Sequence, residues 1–125
     1  MAETAAADPS TATARANPLK LNPLQLKTLA ILQALARVPN AAEPADAEGR
    51  VALRYLPQPH GDHFHVGHAT VATRDAAGLG NPAVYGALAR KGLVLQAPNG
   101  APLLTPEGMA YVTGVERQIL HGSDH

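Results

Sequence analysis

Residues 76–95 read AAGLGNPAVYGALARKGLVL, from Ala76 to Leu95. Two helical signals sit here on either side of a tight turn. The first, a short helix expected over Thr70 to Ala77, stops at Gly78 and turns Leu79 inward. The second opens on Asn81-Pro82, an asparagine N-cap followed by proline at the first helical position. Val84 and Leu88 lie four apart and face a core, and Gly92 ends the helix after Lys91. Leu93 onward reads as strand, turn, strand: Val94 to Gln96, a turn around Pro98-Asn99-Gly100, then Leu103-Leu104. A helix, a tight turn, a second helix and a hairpin make a helix-turn-helix followed by a wing.

The flanks repeat the same start signal. Asn22-Pro23 opens a helix expected over 23–38, and its apolar stripe is wide enough for burial on more than one side. Thr105-Pro106-Glu107 opens a last helix, expected to run over 106–120, with Met109, Val112, Glu116 and Ile119 at helical spacing. Between them lies a strand-rich insert at 50–71. It is expected to be one hairpin with Pro57 to Asp62 at its tip. The expected core includes Leu32, Leu35, Leu79, Val84, Leu88, Leu93 and Val112. The fold class that follows is α+β and mainly helical: a winged helix-turn-helix with a hairpin wing and the additional insert.

The stretch quoted above, followed by LLTPEGMAYV at 103–112, resembles the MarR-type winged helix-turn-helix domain. The shared positions are Gly78, Leu79, Val84, Leu88, Lys91, Gly92, Leu93, Val94, Leu104, Thr105 and Gly108. LNPLQLKTLAILQALARVP, residues 21–39, resembles that family's central first helix. The resemblance implies a DNA-binding transcriptional regulator acting as a homodimer on double-stranded DNA. The functional reading that goes with it puts Asn81 and Tyr85 at the groove and Arg90 and Lys91 on phosphates, with Arg54 and Arg74 widening a positive DNA-binding face. Three departures stand beside it. Residues 41 to 69 form a longer link than usual. The wing QAPNGAP carries no Arg or Lys. The outward positions of the second helix, Ala83, Tyr85, Gly86, Ala89 and Arg90, include few base-reading side chains. A second expectation follows from those departures: a winged-helix module that binds a protein partner and not DNA.

Composition bounds these readings. The chain has 125 residues, enough for one core, with ten basic and ten acidic side chains. A neutral chain is not a sequence-blind nucleic-acid binder held by bulk charge. Residues 1–17 contain almost nothing large and apolar and are expected to be a disordered arm, with the domain over 18–121 and a short tail at 122–125. The arm lacks the basic start and apolar run of a signal peptide, and no segment is long enough to span a membrane. With no cysteine there is no disulfide and no thiol nucleophile, so the expected location is cytoplasmic. The only serines are Ser10 and Ser123. With no phosphate loop and no nucleophile elbow, no enzyme is expected.

One motif remains. HGDHFHVGH, His60 to His68, places four of the six histidines within nine residues. On a strand His63 and His65 share a face and could chelate one ion, with His60 or Asp62 as a further ligand. Three nitrogens and an oxygen would suit zinc or another borderline metal. The bland alternative is a polar hairpin edge without a cofactor, its histidines exposed or bonded to backbone. The chemical alternative is a metal-responsive regulator holding zinc through His60, His63 and His65.

Overall fold

A computed structural model describes residues 17–96 and 101–122. Helix α1 (Pro23–Ala36) is the central element. Asn22 and Gln25 form a reciprocal cap: the Asn22 side chain accepts from the Gln25 amide at 2.8 Å, and the Gln25 side chain accepts from the Asn22 amide at 3.0 Å. That arrangement satisfies amides a helix start otherwise leaves bare. Thr28 to Gln33 are buried without a break, and Leu35 follows, so neighbours cover α1 nearly all round.

The chain then enters strand β1 (Val51–Ala52), β2 (Pro59–His60), β3 (His63–Val66) and β4 (Ala69–Ala72). A 3-10 segment, Thr73–Gly80, leads into helix α2 (Pro82–Arg90). Strands β5 (Val94–Gln96) and β6 (Pro102–Leu104) follow, then α3 (Pro106–Ala110), α4 (Glu116–Ile119) and β7 (His121–Gly122). Two small antiparallel sheets result, ordered β1-β6-β5 and β2-β3-β4-β7. The chain is mixed α/β with small antiparallel sheets, and the expectation of a mainly helical protein is met only loosely.

Three expectations change in detail. The insert is not one hairpin. Strand β1 leaves it to pair with β6, with Val51 opposite Leu104, while two tight turns at Gly61-Asp62 and Gly67-His68 fold the remainder into a separate sheet. The helix expected at 70–77 starts later and is 3-10, because Thr70 and Val71 are taken up by pairing with His65 and Phe64. Gly78 permits the close approach that follows: a Cβ there would collide with the Thr28 hydroxyl of α1.

The last helix breaks after Ala110. Gln33, buried in α1, donates its amide to the carbonyls of both Gly108 and Tyr111 at 2.8 Å, capturing the end of α3. Helix ends leave such carbonyls without intrahelical partners. Tyr111 turns extended, and Gly114 takes a positive φ of 73°. Val112 therefore points to solvent, 60% exposed, and is not a core residue. Leu32, Leu35, Leu79, Val84, Leu88 and Leu93 are all buried as expected.

The residues outside the description are 1–16, 97–100 and 123–125, which hold the expected arm, the wing turn and most of the tail. Asn17, assigned by composition to the arm, bonds to Leu21 through both backbone groups and accepts from the Tyr111 hydroxyl at 2.6 Å. Gly122, assigned to the tail, pairs with Ala69 in β7. No helix among the described residues is long and apolar enough to cross a membrane.

Candidate functional site

Two surfaces gather the candidate residues. The first lies between α2 and the β5–β6 hairpin. Thr105 locks this unit together. Its hydroxyl accepts from the Gly108 amide at 2.9 Å and donates to the Gly92 carbonyl at 2.7 Å, tying the end of β6 to the entry of β5. Gly108 must be glycine there, since a Cβ would collide with the Leu93 carbonyl.

The structure places Asn81 and Tyr85 at this face, but with their polar atoms already engaged. Asn81 caps α2 by accepting from the Ala83 amide at 3.0 Å. The Tyr85 hydroxyl donates to the Leu79 carbonyl at 2.8 Å, and burial pushes its phenol up to about 12. Arg90 and Lys91 are exposed at the C-terminal end of α2, where a cation also favours the helix dipole. Arg74 is exposed on the 3-10 segment. None of these three cations forms an ion pair among the described residues, whereas Lys27 pairs with Asp75, Arg50 with Asp46 and Glu48, and Arg54 with Glu43.

Between α2 and β5 opens a cleft of about 480 Å3. Leu56, Leu79, Pro82, Tyr85, Val94 and Leu95 supply most of its apolar wall, and none of the described residues lining it is charged. Such concave apolar surface with few polar groups is the usual form of a binding site. Strand β5 borders it and is an edge: its ladder runs to β6 alone among the described strands. The sequence placed candidate residues on this face but missed the cleft. Leu56, between β1 and β2 in the insert, also lines it, which local patterning does not reveal.

The second surface is the outer face of the β2-β3-β4-β7 sheet. Val66 and Val71 turn inward and are buried, with Phe64 beside them, so His63 and His65 take the opposite face. Their Nε2 atoms stand 3.2 Å apart, with rings edge to face at 4.8 Å. Asp62 reaches the other nitrogen of His63: Oδ1 to Nδ1 is 3.2 Å. The hydrogen bond from His63 is the main cause holding the Asp62 carboxyl below its ordinary range, with its own backbone amide and the His63 charge adding to it. The register puts His60 opposite His63 and His121 opposite Thr70. His68 sits in the β3–β4 turn, away from the pair. Among the described residues, no three His, Asp or Glu side chains converge tightly enough to hold a metal.

Comparisons with protein families, with curated proteins and with solved structures find no match.

Proposed function

We propose that this chain is a winged-helix recognition module that binds an extended apolar segment of a partner protein in the cleft between α2 and β5. The order of elements supports the winged-helix reading. Strand β1, which lies ahead of the 3-10 segment and α2 in the chain, joins the hairpin that follows them in the order β1-β6-β5. The observation that carries the function is the uncharged cleft. It occupies the face where a DNA reader would present polar side chains to base edges. Here that face offers Pro82, Ala83, Gly86 and Ala89, and the acceptor of Asn81 and the hydroxyl of Tyr85 are turned to the protein's own backbone. An edge strand beside an apolar cleft suits an extended peptide, whose backbone continues the sheet while alternate side chains enter the cleft. The role is binding, not catalysis.

A second reading, a homodimeric DNA-binding transcriptional regulator, is favoured by the exposed Arg74, Arg90 and Lys91 and by the likeness to the MarR-type pattern. One paired selection separates the two. The immobilised chain is offered a displayed peptide library and, separately, fragmented genomic DNA. Peptides with an alternating apolar stretch are expected to enrich, with affinity nearly independent of salt. Ala89→Asp and Leu95→Asp, each setting a carboxylate in the cleft, are expected to abolish their binding. Enrichment of a near-palindromic DNA site, with affinity falling steeply as salt rises and lost with Arg90→Ala and Lys91→Ala, would replace the first reading by the second.

A further inference from the structure

Gly86 stands in the middle of α2, and nothing in the fold asks for a glycine there. Gly78 and Gly108 admit close neighbours, and Gly92 takes a positive φ. Gly86 is helical, and a Cβ on it would meet only the Arg90 guanidinium, at 3.5 Å, an ordinary contact. A glycine inside a helix weakens it relative to alanine. The open space over Gly86 belongs to the cleft, which Gly86 lines beside Tyr85 and Ala89. The missing Cβ leaves bare backbone as a flat stretch of cleft wall, with Arg90 at its rim.

The hairpin sets the direction of approach. Strand β6 alternates between two partners. The Pro102 carbonyl accepts from the Leu53 amide at 3.1 Å, on the β1 side, and the Thr105 amide donates to the Leu93 carbonyl at 3.2 Å, on the β5 side. By that alternation Leu95 bonds to Leu103, while the amides and carbonyls of Val94 and Gln96 point away from β6 to the open edge. Val94 and Leu104 are opposite one another and both buried, which marks their face as the one turned to the core and α2. A strand added at the edge bonds to Val94 and Gln96, and its residue opposite either one projects on the α2 side.

Charge decides what that residue is. None of the residues lining the cleft is charged, and a charged side chain brought in would lose water without gaining a partner. An acid held at the rim would meet Arg90 in open water, where ion pairs are weak. An aromatic ring fits both features: its face attracts a guanidinium, and it buries a large area with few rotatable bonds.

We propose that Gly86 is the specificity-determining residue of the cleft: its bare backbone seats one uncharged aromatic side chain of the partner segment, beside Tyr85 and against the Arg90 guanidinium. This rests on the cleft being a peptide site and adds what the peptide carries there.

The test selects peptides from a displayed library on the full chain, then titrates the best enriched peptide by calorimetry. Enriched sequences are expected to share one aromatic position within an uncharged alternating stretch. Replacing that aromatic by leucine should weaken binding by about ten-fold. Gly86→Leu fills the seat and is expected to abolish binding, and Gly86→Ala to weaken it by about ten-fold. Both variants should melt at a higher temperature than the parent chain, because each residue favours a helix over glycine. Arg90→Ala should weaken the aromatic peptide by about two- to five-fold and its leucine form hardly at all. Three results would overturn the role of Gly86 while leaving the cleft a peptide site: enriched peptides with no shared aromatic, Gly86→Leu binding as tightly as the parent, or a lower melting temperature for Gly86→Ala. No enriched peptide at all would remove the peptide reading, and the aromatic seat with it.

Discussion

In the unit made by α2 and the β5–β6 hairpin, polar side chains turn to the protein's own backbone. Asn81 caps α2, Tyr85 holds the Leu79 carbonyl, and Thr105 bridges Gly108 and Gly92. Hydrocarbon is left outside, walling a cleft. On the β2–β3–β4 sheet the arrangement reverses. Hydrocarbon goes inward at Val66 and Val71, while Asp62, His63 and His65 bond to one another at the surface. The contrast teaches what each region can recognise. A face whose polar atoms are internally satisfied offers area and shape. A face whose polar atoms meet one another outside offers hydrogen-bonding groups.

The contrast breaks most readily in the core. Leu88→Ala empties a core site with no solvent exposure and is expected to cost about 2–5 kcal/mol in urea denaturation. His65→Ala, on the exposed face, is expected to stay within about 0.5 kcal/mol. Comparable losses for the two would mean that the hairpin surface is structural after all.

Next in size is Gln33→Leu. It leaves the carbonyls of Gly108 and Tyr111 without their donor, and an unmet buried acceptor costs about 1–3 kcal/mol. Circular-dichroism melts measure it. A neutral result would show that the break between α3 and α4 is held by something other than this amide.

Tyr85 gives a pH signature. Its phenol is raised to about 12 by burial, above the ordinary value of 10.0. The fold therefore favours the neutral phenol. The contribution is full below pH 10.0 and is lost as pH rises towards about 12. Tyrosinate absorbance should show a late step among the three tyrosines that Tyr85→Phe removes. A titration without that step would mean that Tyr85 leaves its place between α2 and Leu79 in solution.

The smallest effect belongs to Thr113, whose buried hydroxyl has no hydrogen-bond partner among the described residues. Thr113→Val is expected to be neutral or to raise stability by less than about 1 kcal/mol, since it removes an unmet polar group at nearly constant shape. A clear loss of stability would reveal a partner for that hydroxyl.

The sequence spoke clearly where its signals were local. Asn22-Pro23, Asn81-Pro82 and Thr105-Pro106 each start a helix where expected, because a cap and its proline act within one turn. Gly92 ends α2 with a positive φ of 76° for the same reason. Distant partners were illegible. Nothing near Tyr111 announces that Gln33, 78 residues away in the chain, will take its carbonyl and end the run of helical spacing. Nor does the 51–52 segment show that it will pair with Leu103 and Leu104 in place of its own insert. At the histidines, period-two alternation sufficed to put His63 and His65 together. The orientation of Asp62 onto Nδ1 depended on the tight Gly61-Asp62 turn, where Gly61 takes a φ of 72°.

The central claim is that the α2–β5 face recognises apolar peptide and not base edges. Amide-resolved NMR of the labelled chain tests it most directly, with a mixed-sequence DNA duplex at low salt in one sample and a selected peptide in another. The account predicts saturable shifts at Ala89, Leu95 and Gln96 with peptide, unaffected by salt. With DNA it predicts only weak, salt-sensitive shifts at Arg90 and Lys91. Saturable shifts along Asn81 to Gly86 with DNA, and none in the cleft with peptide, would contradict it.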